Sequence, residues 1–388
     1  MKRWMKKFAA VVATVAMVCS VGMPAFAAEG SGYDNVDEDF VYQYLLDKGV
    51  SADKLDKLPL DTLDSTFRQA EANNFTNTQI QQYIDGQISI LESPQTYSGQ
   101  DEAVLSEDGN TIITSYGEVP NLIKRYHGKY TGENVSEEVN ERAFTEDAAT
   151  MVDSGDQTGV FWKVQSAGGY TSATAFATLP LVSNYNSIDR PYMFLAANST
   201  ESGACLTFVG DYGVVYSNGA WHPFINANQW SDTKKDYVSV CQSWPSTTLP
   251  TNYIYLHLKI TNSAGTDRVQ FEILDGNDFS KVIYANAIAF PNNPVNTTAS
   301  NLDLFHETTL AQVHSKDTPL NSNTGTWMKN AKLSNAYLYN SSVTSQWGTA
   351  QTDWAGKQAP TNTKLNCVTV NDSAKWYYDN VSIRFNVQ

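Results

Sequence analysis

Cysteine is scarce in this sequence. Only four cysteines occur in 388 residues, and Cys19 lies in an N-terminal apolar run. The other three, Cys205, Cys241 and Cys367, have neither the Cys-x-x-Cys nor the Cys/His spacing of a zinc site, which excludes a structural zinc fold. An oxidising compartment would permit a Cys205–Cys241 disulfide. Free buried thiols that act as small apolar residues are the alternative.

Basic residues are also few. The chain has 26 Lys and Arg against 41 Asp and Glu, a net charge of −15. This balance excludes nucleic acid as a partner, because binding of phosphates needs basic patches. It likewise argues against a polybasic contact with anionic lipid. An acidic surface of this kind indicates a protein kept soluble by its charge.

No second long apolar run follows the N-terminus, so the sequence predicts no membrane span. The N-terminus has a basic segment, Met1–Lys7, then an apolar core, Phe8–Met23, and then the small-x-small signature Ala25-Phe26-Ala27. This is the pattern of a secretory signal peptide. We expect residues 1–27 to be removed after Ala27 and the rest of the chain to be extracellular.

Three regions follow the predicted signal peptide. Residues 37–92 have the apolar spacing of a small helical domain, with Asp61 and Thr76 as predicted helix N-caps. Residues 93–154 are polar and acidic and read as a connector, partly strand near Thr111–Tyr116. From residue 155 to residue 388 the apolar period changes to two, which is typical of strands.

The clearest strand pair is Tyr253–Ile260 with Val269–Ile273. Pairing residue 260 with residue 269 brings the apolar sides of both strands to one face. The same register sets His257 opposite Glu272 and Lys259 opposite Gln270. Ten or more such short strands, separated by Gly, Asn, Ser and Pro turns, predict a mostly β fold: an antiparallel sandwich preceded by a small N-terminal α-helical bundle.

Two segments resemble the YrpD-like secreted proteins of Gram-positive bacteria. They are Gly213–Phe224 and Glu307–Gln312, the latter followed by an aromatic-bearing strand near Trp327 and Tyr337. The resemblance covers residues 155–388 and leaves out the helical segment. It implies a jelly-roll sandwich similar to the concanavalin A-like lectins and glucanases.

No complete catalytic motif occurs. The laminarinase-like branch of this architecture has a Glu-x-Asp-x-x-Glu strand, whereas Glu272 and Asp275 would point to opposite faces and Asp275–Asp278 reads as a turn. His306 and His314 are eight residues apart, too far for a zincin helix. Gln270 and Glu272 share one strand and so cannot form the neighbouring-strand Gln/Glu pair of a glutamic peptidase. The sequence therefore favours a protein that is not an enzyme and has no cofactor.

Carbohydrate binding is the leading functional hypothesis, because aromatic rings stack on sugars while amides and carboxylates bind hydroxyls. The candidate residues are Tyr253, Tyr255, His257, Gln270 and Glu272 on the polar hairpin face, with Trp221 and Trp230 in or near turns. An ordinary solvated sheet face is the plain alternative. Two others are a polysaccharide hydrolase with carboxylates from separate strands and a protein partner bound through residues 37–92. Ca²⁺ at Asp275–Asp278 is conceivable, but turn chemistry explains that segment better.

Overall fold

A computed structural model describes most of the helical segment and of the β-rich region. The described residues are 38–92, 104–105, 111–114, 117–120, 159–199, 207–231, 236–243, 247–263, 266–290, 302–312, 320–340, 342–358, 367–370 and 376–385. The predicted signal peptide and Cys205 lie outside them, as do the side chains of Trp230 and Cys241, so these predictions are untested. Cys367 is a buried free thiol, and burial raises its pKa to about 11.

Four helices open the described part: α1 (Glu38–Asp47), α2 (Ala52–Leu55), α3 (Leu60–Asn73) and α4 (Asn77–Glu92). The predicted cap at Thr76 is confirmed. Its hydroxyl accepts a hydrogen bond from the Gln79 backbone N–H at 3.2 Å, and the Gln79 side chain accepts one from the Thr76 N–H at 2.9 Å. The predicted cap at Asp61 is wrong, because the N-cap of α3 is Pro59, two residues earlier.

Strands form most of the rest. Three short ones make a separate sheet within the connector: β1 (Val104–Leu105), β2 (Thr111–Thr114) and β3 (Gly117–Pro120). The others are β4 (Gly159–Ser166), β5 (Ser172–Thr178), β6 (Leu181–Ser183), β7 (Asp189–Ser199), β8 (Thr207–Ser217), β9 (Ala220–Ser231), β10 (Asp236–Ser243), β11 (Tyr253–Ser263), β12 (Thr266–Asp275), β13 (Asp278–Phe290), β14 (Leu302–Gln312), β15 (Trp327–Tyr339), β16 (Thr344–Gln346), β17 (Thr352–Gln358), β18 (Val368–Val370) and β19 (Tyr378–Arg384).

These strands form two antiparallel sheets packed face to face, which confirms the predicted sandwich. One sheet has the order β10-β9-β8-β7-β14-β4-β17. The other has the order β13-β12-β11-β5-β15-β19-β18, with β6 and β16 also paired to β15. One apolar core lies between them, with Leu256, Leu258 and Phe271 contributed by the second sheet and Met193 and Leu195 by the first. We call the two sheets the seven-stranded and the nine-stranded sheet.

The predicted register of the central hairpin is confirmed. His257 pairs with Glu272, Lys259 with Gln270 and Ile260 with Val269. The hairpin's far end is the predicted Asp275–Asp278 turn, in which the Asp275 carboxylate accepts a hydrogen bond from the Asn277 N–H at 2.9 Å. The single strand β8 runs through Gly213, where a side chain would collide with Phe194 of β7.

The helices pack on the outer face of the nine-stranded sheet and share a core with it. Buried residues of all four helices join Phe176, Tyr255, Leu274 and Phe279 of the sheet in one apolar cluster. α4 packs along β13, where a side chain at Gly86 would collide with the Phe279 backbone. Four helices in about 55 residues enclose little core of their own, and the sheet supplies the remainder.

Candidate functional site

The predicted sugar-binding face is covered by the helices. Tyr255 is fully buried and His257 is 5% exposed, and the Glu272 side chain keeps 12% of its surface. The expectation of an open, solvated face on this hairpin is therefore wrong, although the strand parity behind it is right. The physical reason is the docking of α3 and α4, which turns a two-faced strand into one buried on both sides.

His257 links the helices to the sheet. Its Nδ1 lies 3.3 Å from the Tyr83 hydroxyl of α4 and 3.4 Å from Glu272 Oε2, and its Nε2 lies 3.2 Å from the Ser172 hydroxyl. Gln87 of α4 donates a hydrogen bond to Glu272 at 2.9 Å. Burial by itself raises the pKa of Glu272, but His257, Gln87 and Lys259 outweigh it and hold that pKa below its usual value.

Aromatic rings complete this interface. Tyr255 donates a hydrogen bond to Gln69 of α3 at 2.8 Å. Its ring lies among Phe75, Tyr83, Phe176 and Phe279, with centroids 4.8 to 6.4 Å apart. Tyr255, His257 and Glu272 thus hold the helical segment in place.

The remaining predicted residues are less involved. Tyr253 is half-buried and stacks on Phe176 at 5.5 Å. Gln270 is half-buried, and its side chain points to the same outer face of the sheet as that of Glu272. Trp221 is half-buried on β9, in edge contact with Tyr216 at 5.4 Å and packed against the sandwich core, and so is not a free platform.

A second group of polar residues lies on the outer face of the seven-stranded sheet, at the β14–β4–β17 edge. Phe305, Gln165 and Trp354 form one cross-strand row, because residue 305 pairs with 165 and 165 with 354. Gln165 donates a hydrogen bond to Asp303 Oδ2 at 3.2 Å, so Asp303 faces the same way. We call Gln165, Asp303, Asp353 and Trp354 the edge site.

Asp353 reaches this group through an irregularity in β17. Thr352 pairs with Ser166 and Trp354 with Gln165, so Asp353 is an extra residue without a partner on β4. Such bulges re-aim a side chain and occur next to active sites. Asp303 and Asp353 stand on β14 and β17 with β4 between them, and two strand spacings separate backbones by roughly 10 Å.

The environments of the two acids differ. Asp303 is half-buried, whereas Asp353 is exposed to solvent. Burial, and after it the charge of Asp353, raise the pKa of Asp303 to about 6, although the nearby Lys163 opposes both effects. A half-buried carboxyl group with a raised pKa is the usual candidate for a general acid.

Trp354 and Lys163 border the two acids. The Trp354 indole lies over Gly356, where a Cβ atom would come within 2.8 Å of the ring, so only glycine leaves room for it. Gly356 pairs with Lys163, whose buried ammonium lies 3.9 Å from the centre of the Phe305 ring. Lys163 also pairs in register with Glu307 of β14. The edge site therefore combines an aromatic ring with an amide and two carboxyl groups, and the buried Lys163 ammonium lies beside it.

None of the four edge-site residues was predicted from the sequence. Asp303 alternates with the apolar Leu302 and Leu304, which indicates an outward acid, but no local motif links it to Asp353. Among the described residues, no three His, Cys, Asp or Glu side chains converge as metal ligands. None of the described helices is long and apolar enough to cross a membrane.

No protein-family model matches the sequence, and no curated protein matches it significantly. Among solved structures, scytalido-glutamic peptidase with a transition state analog inhibitor is similar with a TM-score of 0.34 and 9% identity, covering 59% of this chain and 98% of that one. SCP-B of the Eqolisin family of peptidases, in complex with the tripeptide Ala-Ile-His, has a TM-score of 0.34 and 10% identity, covering 58% and 98%. LamAcat from Zobellia galactanivorans has a TM-score of 0.22 and 11% identity, covering 40% and 59%.

Proposed function

We propose that this protein is an extracellular hydrolase that binds and cleaves polysaccharide at the edge site. The observation that carries the proposal is the pair Asp303 and Asp353, placed across β4 beside the Trp354 indole, with the pKa of Asp303 raised to about 6. The extracellular location is proposed from the signal-like pattern of residues 1–27.

The roles follow from the surroundings of each group. Asp303, which burial favours in its protonated form, donates its proton to the leaving glycosidic oxygen. Asp353, open to solvent, accepts a proton from a water molecule that attacks the sugar from the opposite side. The strands that carry the two acids are separated by one strand, which suits a distance of about 6.5–9.5 Å between the carboxyl groups. That distance leaves room for the attacking water and is typical of enzymes that invert the anomeric centre. Trp354 stacks on a neighbouring sugar ring.

Release of reducing ends from a panel of cell-wall and plant polysaccharides tests this function. We expect Asp303→Asn to lower kcat by about 10²–10⁴-fold, the usual contribution of a general acid. Asp353→Asn should have an effect of similar size. Asp278→Asn, which removes a half-buried turn carboxylate of equal charge, is the matched control and should retain full activity.

Calorimetric titration with the same panel separates binding from cleavage. Asp303→Asn should still bind the polysaccharide that the wild type cleaves. If the wild type binds a polysaccharide and never cleaves it, the protein is a non-catalytic carbohydrate-binding protein. If Asp303→Asn cleaves as fast as the wild type, Asp303 has no catalytic role.

Peptide-bond hydrolysis is a second candidate, and the Gln165–Asp303 hydrogen bond favours it. An amide and an acid on neighbouring strands can stabilise an oxyanion and transfer a proton to the leaving amine. In that case Gln165→Ala would abolish cleavage of a fluorogenic peptide library, whereas Asp353→Asn would not. Glycoside cleavage requires both acids, so the two variants distinguish the functions.

The hypothesis of a protein partner bound through residues 37–92 has less support. The buried apolar faces of the described helices already pack on the nine-stranded sheet. A partner would have to displace β11–β13 or bind the opposite, mostly polar side of the helices.

A further inference from the structure

We infer that Trp327, Lys329 and Arg384 form a second binding surface, which takes a carboxylated polysaccharide. They lie on the part of the nine-stranded sheet's outer face formed by β15, β19 and β6. This surface belongs to the sheet opposite the one that carries the edge site, so it stands independently of the proposed hydrolase function.

The geometry holds two cations on one aromatic ring. Trp327 of β15 pairs in register with Arg384 of β19, and Lys329 follows two residues later on the same side of β15. The Lys329 ammonium lies 5.1 Å and the Arg384 guanidinium 5.2 Å from the centre of the indole ring. Both distances fall within cation–π range, so one ring fixes both cationic groups while both side chains remain exposed to solvent.

Hydrogen bonds fix the backbone beneath these three residues. Phe385 donates a backbone hydrogen bond to the Thr326 carbonyl at 2.9 Å, and its own carbonyl accepts one from Gly325 at 2.6 Å, which joins the ends of β15 and β19. A bulge follows immediately, between Met328 and Ala331, with Asn330 in the left-handed region at φ 58°. The cations therefore stand on a preorganised platform, and less conformational entropy is lost when a ligand binds.

The charge of this region is opposite to that of the whole protein. Strands β6, β15, β16, β18 and β19 contain the cations Lys329, Lys332 and Arg384 and a single acid, Asp379. Asp379 points inward, where its carboxylate lies 2.9 Å from His306 Nδ1 at 1% exposure. In a chain with 41 acidic and 26 basic residues, a part of the sheet whose five described strands point no acid outward is complementary to an anion. The distant acids are screened beyond about 8 Å at physiological ionic strength.

The form of the surface favours a sugar acid over other anions. Three cations are too few to track the phosphates of a nucleic acid. A carboxylated sugar chain alternates apolar C–H faces with single carboxylates. It thus matches Leu181, 73% exposed and paired with Lys329, alongside an arginine able to bind a carboxylate through two parallel hydrogen bonds.

Calorimetric titration with polygalacturonate tests this inference, with the fully methyl-esterified polymer as the neutral ligand on the same backbone. We expect the wild type to bind the acid form at least about tenfold more tightly than the ester, an effect on the order of two charge-assisted contacts. Lys329→Gln combined with Arg384→Gln should lower the affinity by about tenfold. Lys281→Gln removes an exposed cation near Asp278 elsewhere on the protein and should change nothing.

Three results would overturn the inference: no binding of polygalacturonate, equal binding by the double variant, or equally tight binding of poly-glutamate by the wild type. The last would assign the surface to acidic peptides. Asp303→Asn serves to separate the two proposals, because it should lose polysaccharide cleavage while keeping this affinity. A failure at one surface is therefore distinguishable from a failure at the other.

Discussion

The covered hairpin of the nine-stranded sheet and the edge site of the seven-stranded sheet carry similar residue types but differ in their exposure to solvent. On the nine-stranded sheet, Tyr255, His257 and Glu272 lie under α3 and α4 and hold the helices. On the seven-stranded sheet, Asp353 at the β17 edge is exposed, and Asp303 and Trp354 are half-buried. A row of aromatic and ionisable side chains thus serves as an internal interface in one place and as a candidate active site in the other. Burial by a docking element decides between the two.

The first prediction concerns the packing of the helices on the nine-stranded sheet. Phe279 is 1% exposed and contacts Phe75, Tyr83 and Tyr255, so Phe279→Ala should lower the free energy of unfolding by about 3–5 kcal/mol. Urea denaturation measures this. Leu181→Ala, at an exposed position, is the control and should change stability by about 0.5 kcal/mol or less. Equal stability of both variants would mean that the helices do not pack on the sheet as described.

The second prediction compares Glu272 with Asp303. Glu272→Gln should cost about 1–3 kcal/mol of unfolding free energy, because it removes the charge that His257 and Gln87 stabilise. Asp303→Asn should leave stability unchanged or raise it, because burial disfavours the ionised form of Asp303. Thermal unfolding of both variants at neutral pH is the measurement. A larger loss from the Asp303 substitution would reverse the assigned roles.

The third prediction concerns how stability and activity depend on pH. Because the pKa of Glu272 is lower in the folded protein than the ordinary 4.5, its stabilising contribution is complete above pH 4.5 and disappears as the pH falls through the lowered value. The helical segment should therefore lose hydrogen-exchange protection below that range, and Glu272→Gln should flatten this dependence. Activity should behave differently at the edge site. At the edge site kcat/KM should fall as the pH rises through about 6, because Asp303 then loses the proton that it donates as general acid.

The smallest predicted effect concerns Trp354. Trp354→Ala should weaken polysaccharide binding by about 1 kcal/mol, the scale of one aromatic stacking contact. Its effect on unfolding should be slight, since the indole is half-buried on an edge strand. Calorimetric titration alongside thermal unfolding would show whether binding and stability separate in this way. A large loss of stability with unchanged binding would make Trp354 part of the packing alone.

Strand parity was predictable from the sequence, and the cover over one face was not. The alternation of Tyr253–Ile260 and Val269–Ile273 determined the register, because a one-residue slip would expose one apolar side. Parity assigns each residue to a face but does not say what packs on it. The sequence did contain one signal of this cover. Leu274 and Phe176 hold outward positions, and apolar residues at such positions indicate a covered surface.

The edge site was unpredictable for a different reason. Asp303 and Asp353 are fifty residues apart in sequence, and only the strand order β14-β4-β17 brings them together. Non-local pairing of this kind leaves no local motif. The bulge that turns Asp353 outward adds a residue to one strand only, which a strictly alternating pattern cannot represent.

The most direct test of this difference between the faces is a hydrogen-exchange footprint of the whole protein with and without a polysaccharide that it binds. We expect added protection in β14, β4 and β17, residues 302–312, 159–166 and 352–358, and none in α3, α4 or residues 253–259. Protection concentrated in α3, α4 and 253–259, with the edge strands unchanged, would contradict this expectation and return the binding site to the hairpin beneath the helices.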